Sequence, residues 1–339
     1  MKHIAFIIPY FGKFNNYFNL WLESCRNNPT VDWFILTDNS DEYNYPDNVH
    51  KISTTLAEIR KRFEDALDLK VALDKPYKIC DLRPSFLYVF EDMVRNFAFV
   101  GWCDVDLIWG NMRQFLTDEV LDKYDMISRW GHCTLLKNTE KMRRLFMTEL
   151  SLTPPYRCPD YKEAFSSTKS YVFDETPFLM YAMHEGLRIL SIEDIHYDIS
   201  INYKYYHPAW HSRDYFHSLG HDVFYYEDGN LLLLTSDGSK FIEKSLFYAH
   251  FQKRRMENRV SEPQNYCISN DKFINIPKPK TAGEIIDLSP RPLINFKPQK
   301  RFLQRIKRKL LPSNGVQFYH WPPEVTKLKD RIWNERYCS

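Results

Sequence analysis

The sequence predicts an α/β fold in which a mixed sheet, opening with parallel strands, is flanked by helices and followed by a C-terminal extension. Three neighbouring stretches predict it. "HIAFIIPY" (3–10) is a short apolar run stopped by Pro9, the pattern of a buried parallel strand. "NNYFNLWLESCRNNP" (15–29) spaces Tyr17, Phe18, Trp21, Leu22 and Cys25 helically and ends at Asn27, Asn28 and Pro29. "VDWFILTDN" (31–39) is a second strand that closes on Thr37, Asp38 and Asn39. A strand, a helix and a parallel strand make a βαβ unit, whose ligands lie beyond the carboxyl ends of the strands. No GxGxxG is present, so a dinucleotide fingerprint is missing.

The later elements follow in order. "TTLAEIRKRFEDALDL" (54–69) predicts a helix with a Thr cap, and "YKICDLRPSFLYVFEDMVRN" (77–96) a helix kinked or split at Pro84. "FAFVGWCDVDLIWG" (97–110) reads as one buried strand with two aspartates near its carboxyl end. "YDMISRW" and "GHCTLLKN" (124–138) predict two strands around a turn, and "TEKMRRLFMTEL" (139–150) a helix capped by Thr139. The stretch 170–190 becomes helical from about Thr176, with Pro177 in a tolerated first-turn position. Residues 196–247 are aromatic and turn-rich, expected as antiparallel strands or excursions on the sheet edge. The expected main domain spans 1–260. Residues 261–339 form a Pro- and Lys-rich extension laid over it, with a basic amphipathic helix around 299–311.

Composition narrows the function classes. Aromatics reach 16%, with 22 Tyr and 24 Phe against only 10 Gly, which excludes a disordered chain. A formal charge of +2 gives no support to nucleic-acid binding. Seven scattered cysteines without a CxxC pair fit reduced thiols in a cytosolic setting. The apolar run at the N-terminus is too short for a signal peptide or a membrane span, so any membrane contact is expected to be peripheral.

Four constellations carry chemistry. Asp104 and Asp106 stand at i and i+2, so an extended segment aims both at one point, where hard oxygen ligands favour Mg²⁺ or Mn²⁺. The bland alternative is two surface aspartates in a loop. "FYAHFQKRRM" delivers His250, which can complete a carboxylate metal site, and then Lys253, which can neutralise a phosphate; a core histidine before a solvated turn is the plainer reading. In "FDETPF", Asp174 and Glu175 either complement a helix N-terminus or supply a general base. In "KICDLRPSF", Lys78, Asp81 and Arg83 share a helical face, to hold ribose and diphosphate or to pair with one another. Histidines 207, 211, 217 and 221 invite a zinc reading, but without HExxH or neighbouring cysteines they are better read as solvated or acceptor-lining. "KRFLQRIKRKLL" is either a solvated helix packed on the domain or an interfacial helix drawn to anionic lipid.

Taken together with the first βαβ unit and "YDMISRWGHCTLLKN", these motifs form an ordered set. It resembles a family of bacterial glycosyltransferases encoded with capsule and O-antigen genes, with a GT-A-like, Rossmann-like nucleotide-sugar-binding fold. The resemblance covers roughly residues 1–260. It implies a nucleotide-sugar donor, expected to be a UDP-hexose, with Pro9, Tyr10, Phe11, Thr37, Asp38 and Asn39 around base and ribose. It further implies Asp81 and Arg83 supporting ribose and phosphate, and Asp104, Asp106 and His250 as ligands of Mn²⁺ or Mg²⁺. Lys253 would lie near the diphosphate, Gly131 and His132 would border the donor sugar, and Asp174 or Glu175 would be the base of an inverting enzyme; a retaining one would share the donor site. The implied acceptor is a glycan or polyprenyl-linked glycan, and the implied location the cytoplasm or the cytoplasmic face of the inner membrane. Two rival readings of the residues are a metal-dependent nucleotidyl or phosphoryl transferase and a non-catalytic carbohydrate-binding protein that stacks sugars on its Tyr and Trp side chains.

Overall fold

The structure is a computed structural model and describes residues 1–150, 158–200, 206, 220–252 and 254–291. It has the mixed α/β fold that the sequence predicts. Strands β1 (Ile4–Pro9), β2 (Val31–Thr37), β3 (Val49–Ser53) and β4 (Phe99–Cys103) run parallel in the order β3-β2-β1-β4. Helix α1 (Phe18–Arg26) connects β1 to β2, and α2 (Leu56–Leu67) follows β3. All six residues of β1 are buried, because the strand has layers on both faces. Alternation sends Ile4, Phe6 and Ile8 into one layer with Trp21 of α1 and Trp33 of β2. Ala5 and Ile7 enter the other, with Ile59 and Phe63 of α2.

The stretch after α2 departs from the expected helix. Pro84 lacks an N–H and opens a 3₁₀ turn, so residues 76–94 form short pieces: a 3₁₀ turn Pro76–Lys78, α3 (Ile79–Leu82), a second turn Arg83–Ser85, α4 (Phe86–Val89) and α5 (Glu91–Val94). The expected single strand 97–110 also divides. It breaks after β4 and resumes as β5 (Leu107–Trp109), which belongs to another sheet. After α6 (Asp118–Lys123), the two strands that the sequence predicts extend the first sheet: β7 (Cys133–Lys137) runs antiparallel to β4, and β6 (Met126–Trp130) antiparallel to β7. The helix expected over 139–150 is only α7 (Glu140–Arg143), capped by Thr139, and a 3₁₀ turn Leu145–Met147. Helices α8 (Tyr161–Ser166) and α9 (Thr176–His184) follow, and β8 (Ile189–Leu190) pairs with β6.

Close approach of β4 to β7 fixes one residue type. A Cβ on Gly101 would lie 1.8 Å from the Thr134 carbonyl oxygen. Gly101→Ala is therefore expected to destabilise the protein by at least ~1–3 kcal/mol, measured by urea unfolding.

The aromatic region builds a sheet of its own rather than an edge of the first. Strands β10 (His221–Glu227), β11 (Asn230–Ser236) and β12 (Phe241–Leu246) join β14 (Glu257–Arg259), β15 (Asn265–Ile268) and β16 (Lys272–Ile274) in the order β12-β11-β10-β15-β16-β14. Residues 261–291 thus complete this sheet, and α10 (Ala282–Leu288) covers it through Ile285 and Leu288. Between the two large sheets lies a third of three strands, in which β13 (Tyr248–His250) runs antiparallel to β5 and parallel to β9 (His196–Asp198). Among the described residues no helix is long and apolar enough to cross a membrane. The basic segment 299–311, Lys253 and the histidines at 207, 211 and 217 lie outside the described residues.

Candidate metal and nucleotide site

In the parallel order β3-β2-β1-β4, strand order reverses at β1, and open α/β sheets take their ligands at such a point, beyond the carboxyl ends of the strands. Asp104 follows β4 directly at that edge. The two aspartates converge for a different reason from the one the spacing suggests. They sit in the bend between β4 and β5 rather than on a continuous strand, and backbone bonds hold them: Asp104 N–H donates to the His132 carbonyl at 3.0 Å, and Phe251 N–H to the Asp106 carbonyl at 2.9 Å.

Pairing of β13 with β5 and β9 sets His250 opposite Leu107 and Asp198. Its Nε2 lies 3.4 Å from Asp106 Oδ1 and 3.9 Å from Asp104 Oδ2. One ligand atom from each of the three lies within 4.8 Å of the others, and two carboxylates with an imidazole are a donor set that fits a divalent cation. On its far side, His250 Nδ1 lies 2.8 Å from Asp198 Oδ1, which also accepts from Gln252 Nε2 at 2.6 Å. Burial opposes a charge on His250, yet Asp106 and Asp198 outweigh it and hold the imidazole pKa well above its ordinary value. The ring of His132 stacks on that of His250 at 4.3 Å between centroids.

Asp198 and Gln252 were not legible as site residues. Nothing in "HYDIS" distinguishes Asp198 except a carboxylate between two apolar neighbours. With Nδ1–H donated to Asp198, Nε2 is aimed at Asp104 and Asp106, and a metal that displaced its proton would find the orientation a ligating histidine needs. Asp198→Ala is expected to lower divalent-cation affinity about ten- to a hundredfold, read by titration with Mn²⁺. An unchanged affinity would remove Asp198 from the site.

A second cluster adjoins the first. Arg83, at the turn after α3, donates from Nη1 to Asp174 Oδ2 at 2.9 Å and to the Gly131 carbonyl, and from Nη2 to Asp104 Oδ1. It therefore joins the metal-site carboxylate to the carboxylate before α9. Burial pushes the Asp174 carboxyl up, to about 8, against the pull of Arg83, with the neighbouring Glu175 adding to the rise. A Cβ on Gly131 would stand 2.8 Å from Asp174 Oδ2 and 3.1 Å from Glu175 Oε1, so glycine is what lets the β6–β7 turn close over both. Glu175 is half-buried and stands at the N-cap of α9, where its charge has the sign that the helix dipole favours, though its side chain makes no cap hydrogen bond.

Asp81 departs from the expected ribose position. Its carboxylate is fully buried and accepts from Lys78 Nζ at 2.7 Å, from Tyr171 N–H at 3.0 Å and from Phe173 N–H at 2.9 Å. It fixes the segment that leads to Asp174.

At the carboxyl ends of their strands, the loops after β1 and β2 are tied together. Gly12 N–H donates to Asp38 Oδ1 at 2.8 Å, and Asn39 Nδ2 to the Gly12 carbonyl at 3.0 Å. Asn15 Nδ2 reaches the Val105 carbonyl at 3.0 Å and links this loop to the two aspartates. Tyr10 and Phe11 are partly exposed and Asp38 exposed, and the charges of Asp106 and Asp104 reach the Tyr10 phenol. Pro9 and Thr37 are buried, Thr37 Oγ1 accepting from Asn39 N–H at 3.1 Å, so these two support the loops from beneath.

The fold and site define a mixed α/β protein with a possible divalent-metal centre at the carboxyl edge of a parallel sheet. More particularly, the chain belongs to a family of unknown function (DUF6625), whose profile matches residues 6–277. That span holds the carboxylate pair, His250 and the C-terminal sheet. No curated protein matches the chain. Among solved structures, mouse xyloside xylosyltransferase 1 in its apo form is similar at 11% identity and a TM-score of 0.33, over 59% of this chain and 88% of that one.

Proposed function

We propose that the protein is a metal-dependent glycosyltransferase that moves a hexose from a UDP-sugar to a hydroxyl of a glycan or lipid-linked glycan, with inversion, in bacterial surface polysaccharide synthesis. The meeting of Asp104, Asp106 and His250 just after the carboxyl end of β4 carries this reading. Support also comes from Tyr10, Phe11, Asp38 and Asn39, whose loops at the carboxyl ends of β1 and β2 are tied together, and through Asn15 to Val105 between the two aspartates, and suit a base and ribose.

Asp104, Asp106 and His250 would hold Mn²⁺ or Mg²⁺. Bound there, the ion would neutralise the diphosphate and stabilise the charge of the departing UDP. A carboxylate of the 174–175 pair takes the proton of the acceptor hydroxyl. As the acceptor oxygen bonds to the anomeric carbon, the bond from that carbon to the diphosphate oxygen breaks, and its electron pair leaves with UDP. Arg83 keeps the two carboxylate clusters in fixed relation, the kind of pre-organisation on which such a displacement depends. The basic segment 299–311 would bring the enzyme to anionic lipid at the cytoplasmic face of the inner membrane, where a polyprenyl-linked acceptor resides.

The test is a thermal-shift screen of UDP-sugars with and without Mn²⁺, since a ligand that binds only the folded state raises its midpoint. A metal-linked shift together with release of UDP is the expected result. No shift with any UDP compound, or pyrophosphate release from a nucleoside triphosphate, would overturn the assignment.

A further inference from the structure

The turn between β6 and β7 touches both halves of the site. Its Gly131 carbonyl accepts from Arg83, and its His132 carbonyl accepts from Asp104 N–H at 3.0 Å. The His132 side chain belongs to the metal half as well. Its ring centroid lies 4.3 Å from that of His250, with 25° between the planes, so a second candidate ligand rests on the same residue.

The His132 ring is itself held from several directions. Trp130 runs parallel to it at 6.3 Å and 4°, Tyr248 meets it edge-on at 5.7 Å, and His196 lies 5.6 Å away. Two of these neighbours are fixed in turn. The Arg129 guanidinium covers the Trp130 ring at 4.2 Å and pairs with the buried Glu193 at 3.0 Å, while His196 Nδ1 lies 2.7 Å from the Ile192 carbonyl oxygen. Only 8% of His132 is exposed. A residue so covered has little surface to offer a donor sugar, the place that the resemblance implied for it.

What it does offer is a rigid plane. The bond between His250 Nδ1 and Asp198 restrains the imidazole at one edge. That bond alone leaves the ring free to tilt, and a tilt carries Nε2 away from the point it shares with Asp104 and Asp106. A flat ring packed on the face of the imidazole opposes the tilt, because stacked aromatic pairs lose contact as their planes diverge. We infer that His132 is a positioning residue of the metal centre, fixing His250 through its ring and Asp104 through its backbone carbonyl. This rests on the metal-centre reading and adds the residue that holds two of the three ligands in common register. The backbone contact survives a change of side chain, so side-chain variants isolate the ring.

The experiment titrates the full chain with Mn²⁺ by calorimetry and records the visible d–d bands of bound Co²⁺, with urea unfolding as a check on stability. Two variants fill the space differently: His132→Phe keeps a planar ring, and His132→Leu has similar bulk without one. His132→Phe should bind Mn²⁺ within about twofold of wild type and keep its Co²⁺ bands. His132→Leu should bind about fivefold more weakly, with bands displaced toward those of an all-oxygen ligand set. Should the Leu variant fail to fold, His132→Asn takes its place with the same loss expected. Wild-type affinity and bands in the variant without a ring, or an equal loss in His132→Phe, overturns the inference. A wild type that binds neither ion would instead bring down the metal-centre reading.

Discussion

Replacing Asp106 with alanine is expected to abolish metal-dependent binding of UDP and, with it, transfer. Asp106 is buried, its Oδ1 is 3.4 Å from His250 Nε2, and its backbone is fixed by Phe251. Residues that merely orient a ligand already change metal affinity about ten- to a hundredfold, so removal of a ligand should cost at least about a hundredfold. Calorimetric titration of Mn²⁺ in the presence of UDP measures the loss, and a circular dichroism spectrum checks that the sheet persists. Metal-linked UDP binding that survives the substitution would refute the centre.

The largest effect on stability is expected at Asp81, which lies outside the chemistry. Asp81→Ala would leave the buried Lys78 ammonium without its carboxylate and the Tyr171 and Phe173 amides without their acceptor. Breaking such a buried pair from one side costs about 3–5 kcal/mol, because the charge left behind is neither solvated nor paired. Urea unfolding should register that loss. Since the same carboxylate tethers the approach to Asp174, the variant should also lose activity at temperatures where it remains folded. A variant as stable as wild type would mean that the segment before α9 is held by something else.

How much of this was legible depended on whether a feature is local. The opening strand, α1 and the second strand could be read because each carries its own signal: continuous apolar residues, helical spacing, and a Pro or Asn stop. The aspartates stood out because their neighbours are apolar. What could not be read was the bend. "GWCDVDLIWG" reads as one strand, yet hydrogen-bond partners that arrive much later divide it between β4 and β5, and burial on both sides looks alike in sequence. Asp198 escaped notice for a related reason. Its meaning comes entirely from lying opposite His250 in β13, a register no local pattern encodes. Asp81 misled because a carboxylate three residues after a lysine looks like a surface pair, and only the fold buries both.

The small sheet of β5, β13 and β9 has a consequence for how the protein is made. It unites the aspartate bend near residue 105 with a histidine at residue 250, so its completion waits on the distant half of the chain. At a synthesis rate of about 5–20 residues per second, roughly seven to thirty seconds separate the appearance of the two halves on the ribosome. During that interval the N-terminal strands can pair, but the emerging polypeptide holds only an incomplete set of ligands. Capture of metal would thus become a late event in maturation, one that marks a chain already translated through β13.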